Sequence, residues 1–433
     1  MIEEKSPNIL SQEIEGLLEL EKQARQENDM DLSVKTCRTI IELLWDSKDI
    51  DRLLTMVKNL TSKRGQLMKS ITEMVKMCMD YIPNVQPKEK QIEFVNGLKQ
   101  ICEKKIYLEV EYARCCMILV KHSEQNASNL EEAAKIMENV QVETYGSMSK
   151  KEKMEFILYQ MKINILLRDY TKLYIVSKKV NLKIIDEPGF EHEKLTFNLY
   201  SFFFFQNDGD YQNCTKCLKQ AYNAFKALNY HLDPAQLDPF VTTQFTDLLE
   251  KTKLSEAVLT FKCIEPFGTT KQEEMNKLVK ELEIYVLDNL VLDKLLKGFL
   301  TAELSSCNLS TYHTDKLLIF NEEFLNNKKF LDELEIQLVK KNLFMVSKYY
   351  KQVKISKLSV LLDNSPQFVE DQLCDLIAEN IIVGKIDRMD MIVRFDVAKN
   401  DKVILDNWVS NINGVLDLVN FVCERIEREG VTV

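Results

Sequence analysis

"ISKLSVLLDNSPQFVEDQLCDLIAENIIVGKID", residues 355–387, reads as helix, tight turn, helix and strand. Leu358, Leu361 and Leu362 fall at i, i+3 and i+4, and Ser356 stands where it can cap the helix that carries them. Asp363, Asn364, Ser365 and Pro366 then break it. Ser365 can cap the next helix, with Pro366 at a first helical position whose N–H has no partner in any case. Val369, Leu373, Leu376 and Ile377 share one face of this second helix. Residues 381–386 and 391–395, joined by a turn at Arg388, Met389 and Asp390, predict a β-hairpin. Two helices and a hairpin make a winged helix, a shape often used to read DNA. A DNA reader needs cations around its second helix to neutralise phosphates. Residues 367–380 carry Glu370, Asp371, Asp375 and Glu379 and no Lys or Arg, so this helix is the wrong charge for that task.

Outward from this unit, the composition is that of a folded, helix-rich chain. Only 11 glycines and 8 prolines interrupt 433 residues, which predicts long uninterrupted helices. Charged residues make up 29% and hydrophobic ones 45%, and the net charge of −10 argues against nonspecific binding to a polyanion. The N-terminal MIEEKSPNIL lacks the basic-then-apolar layout of a signal peptide. No apolar run approaches the ~20 residues of a membrane span, so no membrane association is expected; Phe202–Phe205 reads as a buried helix face. Eleven cysteines without framework spacing suit a reducing compartment, cytoplasm or nucleus. Cys214 and Cys217 form a C-x-x-C, but no second pair or histidine cluster lies near to complete a zinc site, so they are expected to be ordinary thiols.

Residues 1–230 show a repeat. Asn129-Leu130, Asp169-Tyr170 and Asp210-Tyr211 each precede a helical pattern, and the second member of the pair recurs after 40 and then 41 residues. Asp49-Ile50 and Lys253-Leu254 are looser echoes. A period near 40, filled by two helices, predicts an α-solenoid in which each pair buries its face on its neighbours. His231 to Pro234 and Asp238-Pro239 mark a junction, with further helices over 231–340 before the winged unit at 341–397. Lysines 340, 341, 348, 351 and 354 around Tyr349 and Tyr350 form a Lys-rich helix leading into the wing. An RNA surface would need those tyrosines exposed; the expectation is that they pack under the wing while the lysines are solvated.

The last segment, 398–433, is the most regular. Leu405, Trp408, Ile412, Val415, Val419, Val422 and Ile426 alternate three and four apart, and Val409 and Leu416 widen the stripe. A 3.5-residue apolar period along a helix is a seam for other helices. From 403 to 428 it would run about 39 Å at 1.5 Å per residue, more than the small wing can cover. An uncovered stripe marks a partner site, and the competing reading folds it back on the chain's own helical array.

No catalytic arrangement emerges. His122, His192, His231 and His313 form no H-x-H or H-E-x-x-H. Gly268-Thr-Thr-Lys271 lacks the leading glycine and spacing of a phosphate-binding loop, and no G-x-S-x-G occurs. No cofactor, no metal and no enzymatic activity are expected.

Helical repeats, a winged helix and a terminal helix in that order resemble the PCI domain family of proteasome lid, signalosome and translation-initiation subunits. "QVETYGSMSKKEKMEFILYQMK" at 141–162 with "RDYTKLYIVSKKV" at 168–180, "KRGQLMKSITEMV" at 63–75 and "LDNWVSNINGVLDLVN" at 405–420 are similar to the lid branch, the non-ATPase regulatory subunits of the 26S proteasome. The resemblance implies a mainly α protein: a right-handed, TPR-like helical-repeat solenoid, a winged-helix (PCI) domain and a long C-terminal bundle helix. It implies a non-catalytic scaffold whose partners are other PCI-domain lid subunits, the lid deubiquitinase subunit, the ATPase ring and the core particle. A PCI scaffold of a signalosome or initiation complex is the alternative. In such a scaffold the wing pairs with a neighbour's winged helix, and a hairpin edge at 391–395 would offer Ile392, Val393 and Arg394 to the neighbouring sheet.

Overall fold

A carboxylate at the start of a helix satisfies backbone N–H groups that have no partner within the helix, and this chain uses that device at one corner after another. The computed structural model describes residues 7–125, 130–228, 240, 251–282, 290–301, 303–305, 327–395 and 401–430. The chain divides into two units, Met1–Thr246 and Asp247–Val433. In the first unit, α1 (Pro7–Glu27), α2 (Met30–Asp46), α3 (Ile50–Ser62), α4 (Met68–Tyr81), α5 (Lys88–Cys102) and α6 (Glu109–Gln125) are followed by α7 (Leu130–Glu138) and α8 (Lys150–Leu166). Then come α9 (Tyr170–Ser177), the one-turn α10 (Leu182–Ile185), α11 (Glu191–Asp208) and α12 (Tyr211–Ala227). Each of these helices packs mainly on helices close to it in sequence.

The corners explain the repeat. Asn28, Lys48, Arg168 and Gly209 each close one helix at positive φ, and the next residue is an Asp that caps the following helix. Asp29 Oδ1 accepts from Asp31 N and Leu32 N, Asp49 from Arg52 N, Asp169 from Lys172 N and Asp210 from Asn213 N, all at 3.1–3.2 Å. The backbone N–H groups of Asp29, Asp169 and Asp210 reach back to Ala24, Asn164 and Phe205 carbonyls at 2.9–3.0 Å, tying off the helix just ended. Asp169, Asp210 and the looser Asp49 were legible as helix openers. Asp29 was not, because Met30 breaks the apparent pairing. Asn129 lies outside the described residues. Lys253-Leu254 falls inside a helix, not at its described start.

Two helices are buried nearly all round. On α8, Met154 and every residue from Phe156 to Ile165 are buried, and on α11 Leu195 to Phe203 are. Such helices have no polar face, so their polar side chains must be partnered. Lys162 Nζ lies 2.5 Å from Glu124 Oε1, and the Tyr159 hydroxyl donates to the same carboxylate. Phe202 and Phe203 are core, while Phe204 stacks on Tyr174 with centroids 4.5 Å apart. Near the amino end, Glu21 is fully buried and takes Lys63 Nζ at 3.1 Å and Arg25 Nε at 3.6 Å.

The second unit contains α13 (Lys251–Ile264), α14 (Lys271–Glu281), α15 (Leu290–Leu300) and α16 (Asn327–Tyr349). The winged unit follows as β1 (Gln352–Lys354), α17 (Ile355–Leu362), α18 (Pro366–Ala378), β2 (Lys385–Asp387) and β3 (Ile392–Arg394), and α19 (Asp401–Gly430) ends it. The expected junction at 231–239 lies outside the described residues. Asp363 closes α17 at φ +54°, and Ser365 Oγ accepts from Phe368 N at 3.4 Å with Pro366 opening α18. Ser356 does not cap: α17 begins one residue earlier, with Lys354 in the cap position and no side-chain cap bond. The wing's core is Val339, Leu343, Val346, Leu358, Val369, Leu373, Leu376 and Val393.

The sheet corrects one expectation. Its order is β1-β3-β2, with Val393 opposite both Val353 and Ile386, so β3 is the central strand and not an edge. The missed strand is β1. Its three residues are too few to read from alternation, and they sit in a lysine-rich stretch whose pattern is that of a continuing helix. The helix in fact stops at Tyr349, and Phe395 N donates to Lys351 O at 2.8 Å.

Candidate partner-binding surfaces

Because β3 is paired on both sides and Val393 is wholly buried, Ile392, Val393 and Arg394 have no free main-chain edge to offer. The sheet's edges are β1 and β2. Beside β2, the turn lifts Met389 to 95% exposure and leaves Met391 about half exposed. Arg388 Nε bonds Glu370 Oε1 at 2.7 Å, and that hydrogen bond holds the guanidinium above its ordinary value. Lys340 approaches Asp375 at 3.8 Å. Two of the four carboxylates in residues 367–380 are therefore occupied by cations from within the unit.

The Lys-rich segment also differs from its expected form. Tyr349 is 70% exposed and Tyr350 40%, so neither is packed under the wing. Lys341 is buried: its Nζ donates to the Glu303 carbonyl and, at 3.1 Å, to Ser305 Oγ. Lys348 lies 4.3 Å over the Phe344 ring and Lys357 5.9 Å over Tyr350. Since α16 ends at Tyr349, Lys351 and Lys354 leave the helix surface, and no continuous basic face forms.

Helix α19 carries the other candidate residues. Every described side chain on it, Leu405 and 408–426, is exposed. Leu405, Trp408, Ile412, Val415, Val419, Val422 and Ile426 are between 46% and 67% exposed. Leu418 and Phe421, outside the 3.5-residue stripe, are exposed as well, with Arg425 5.2 Å over the Phe421 ring. Sequence periodicity did not single them out because they flank the seam. An apolar face of this length, exposed at every described side chain, is chemically suited to pack against other helices.

Cys214 and Cys217 are buried on α12, and burial pushes the Cys217 thiol up to about 12, the opposite of what a metal-ligating thiolate needs. Among the described residues no His, Cys, Asp and Glu cluster is arranged to hold a metal ion, and no helix is long and apolar enough to cross a membrane. Lys271 is buried, donates to the carbonyls of Cys263 (2.8 Å) and Glu265, and lies 5.2 Å over Phe299; burial lowers it to about 8. It braces the end of α13 with its own ammonium.

Comparison with known proteins agrees with this architecture at both ends. Residues 12–227 match the family model described as PSMD12/CSN4, N-terminal, and residues 312–397 match the PCI domain. The chain is 30% identical over 420 residues to the 26S proteasome regulatory subunit rpn501 of Schizosaccharomyces pombe, covering 96% of this chain and 90% of that protein. It is 27% identical over 441 residues to the 26S proteasome regulatory subunit RPN5 of Saccharomyces cerevisiae, covering 99% and 93%. The COP9 signalosome complex subunit 4 of Arabidopsis thaliana matches over only 100 residues, at 24% identity.

Proposed function

The chain belongs to the family of 26S proteasome regulatory subunits that includes rpn501 and RPN5, and from that premise we propose that it is a non-catalytic scaffold of the regulatory-particle lid. The observation that carries the proposal is the apolar seam of α19, exposed over its described length. A helix of this kind is costly to leave in water and gains by joining a bundle of similar helices from neighbouring subunits. Its partners in this reading are other PCI-domain lid subunits through α19 and the winged unit, with the lid deubiquitinase subunit, the ATPase ring and the core particle as further neighbours.

The wing contributes through an edge of its sheet at β1 or β2 and through its exposed tip at Met389, not through β3. Scaffolding needs no proton transfer, nucleophile or metal. Residence in cytoplasm and nucleus follows from the same reading, since lid subunits work where proteasomes do. The signalosome alternative shares the PSMD12/CSN4 amino-terminal model but has a weaker basis, since the signalosome relative matches 23% of this chain against 96% for rpn501.

The test is the company the chain keeps. Tagged at its amino end and isolated under native conditions, it should bring down proteasomal ATPase subunits and the core particle in a particle far larger than 50.6 kDa. Recovery with cullin-type ligases instead would refute the lid assignment.

A further inference from the structure

Helices α7, α8 and α9 border a cleft of about 190 Å³, lined by Ala134, Met137, Ile163, Ile175 and Val176 with Lys172 and Lys179 at its sides. Its walls are fixed without an occupant. Gln160 Nε2 donates to the carbonyls of Met137 (2.9 Å) and Val140 (3.2 Å), which stitches α8 to the end of α7. Lys172 pairs with Glu138, tying α9 to α7, and Lys179 Nζ lies 3.0 Å from Glu143. A socket held open in this way imposes little ordering cost on whatever enters it.

Two features say what fits. The first is the continuation of apolar surface outside the cleft: Ile175 is 61% exposed, and Leu182, on the next short helix, 62%. A cleft smaller than the roughly 300 Å³ at which small-molecule sites begin, opening onto exposed aliphatic side chains, suits one anchoring side chain of a protein surface. The second is charge. Residues 168–183 carry Arg168, Lys172, Lys178, Lys179 and Lys183 against the single carboxylate Asp169. Glu138 and Glu143 occupy Lys172 and Lys179, while Lys178 sits over the Tyr174 ring at 4.8 Å and neither it nor Lys183 is ion-paired among the described residues. On the α7 side Glu131 and Glu132 are acidic, so the complementary charge of a ligand belongs over α9 and α10.

We propose that this cleft is a docking socket for an acidic segment of a partner protein, which inserts one large apolar side chain between α7, α8 and α9 and lays its carboxylates against Lys178 and Lys183. The inference stands apart from the lid assignment: it concerns a face of the first unit, whereas that assignment rests on α19.

The test uses the full-length chain and three labelled, capped peptides read by fluorescence anisotropy. One carries a central phenylalanine among glutamates, the second has alanine in place of the phenylalanine, and the third has lysines in place of the glutamates. The first peptide should bind saturably, and each of the others about tenfold more weakly or worse, a difference of about 1.4 kcal/mol. Val176→Phe, which fills the cleft, should abolish binding with an unchanged thermal melt. The surface reversal Lys178→Glu with Lys183→Glu should weaken the first peptide about tenfold and strengthen the third. Absence of binding, equal binding of the three peptides, or binding that survives Val176→Phe would overturn the proposal. Binding of toluene alone as tight as the first peptide, indifferent to the lysine reversals, would make the cleft a small-molecule pocket and overturn it equally.

Discussion

Asp169 shows how much of this fold one side chain settles. The Thr171 hydroxyl and then the Lys172 backbone N–H hold its carboxyl below the ordinary carboxylate value, so the cap is charged whenever the protein is folded near neutrality. Asp169→Ala should cost about 1 kcal/mol, read as a shift in the urea midpoint. Because the folded-state value is depressed, that contribution is present above the unfolded-state value and fades as pH falls through the folded one, so wild type and variant should converge in acid. Lys271 is lowered as well, but by burial of its charged form and not by hydrogen bonds. Its folded-state value near 8 lies below its ordinary 10.5, so unfolding takes up a proton between those pH values and stability rises across that window. Lys271→Met should lack that rise when its urea midpoints are compared with wild type from pH 8 to 10.5.

At the scale of elements, the wing carries a sharper test than its sequence suggested. Val393→Pro removes a donor from a strand paired on both sides and disturbs a wholly buried position. The isolated protein should lose stability by about 3 kcal/mol or more, visible as an earlier first transition in thermal melting; an unchanged melt would contradict a central β3. The two helices of this unit were legible because Ser365-Pro366 is a start signal with a mechanism and Val369, Leu373 and Leu376 repeat at helical spacing. β1 was not legible, since a three-residue strand has no period to read and gains its identity from β3, some forty residues on. Tyr349 and Tyr350 are exposed for a related reason: α16 stops at Tyr349, so the faces of a continuing helix do not exist there. The all-round burial of α8 and α11 likewise has no stripe to announce it. The seam on α19 was legible residue by residue, because a helix whose described side chains are all exposed keeps its sequence pattern undisturbed by tertiary contacts.

For the whole molecule, a chain of helical corners, a wing and a terminal helix exposed at its described side chains gains its meaning from what it joins. The central claim is that α19 is an assembly element and not an internal strut, and the double variant Ile412→Asp with Val419→Asp tests it most directly. Both side chains are half exposed in the isolated chain, so two carboxylates there meet water and cost folding little. In an assembled bundle the same two charges would be buried without partners, at several kcal/mol each. The measurement is paired: the thermal melt of the purified variant, and its native mass in lysate. The account predicts a melt like that of the wild-type chain together with loss from the large particle; unfolding of the isolated variant, or its normal incorporation, would contradict it.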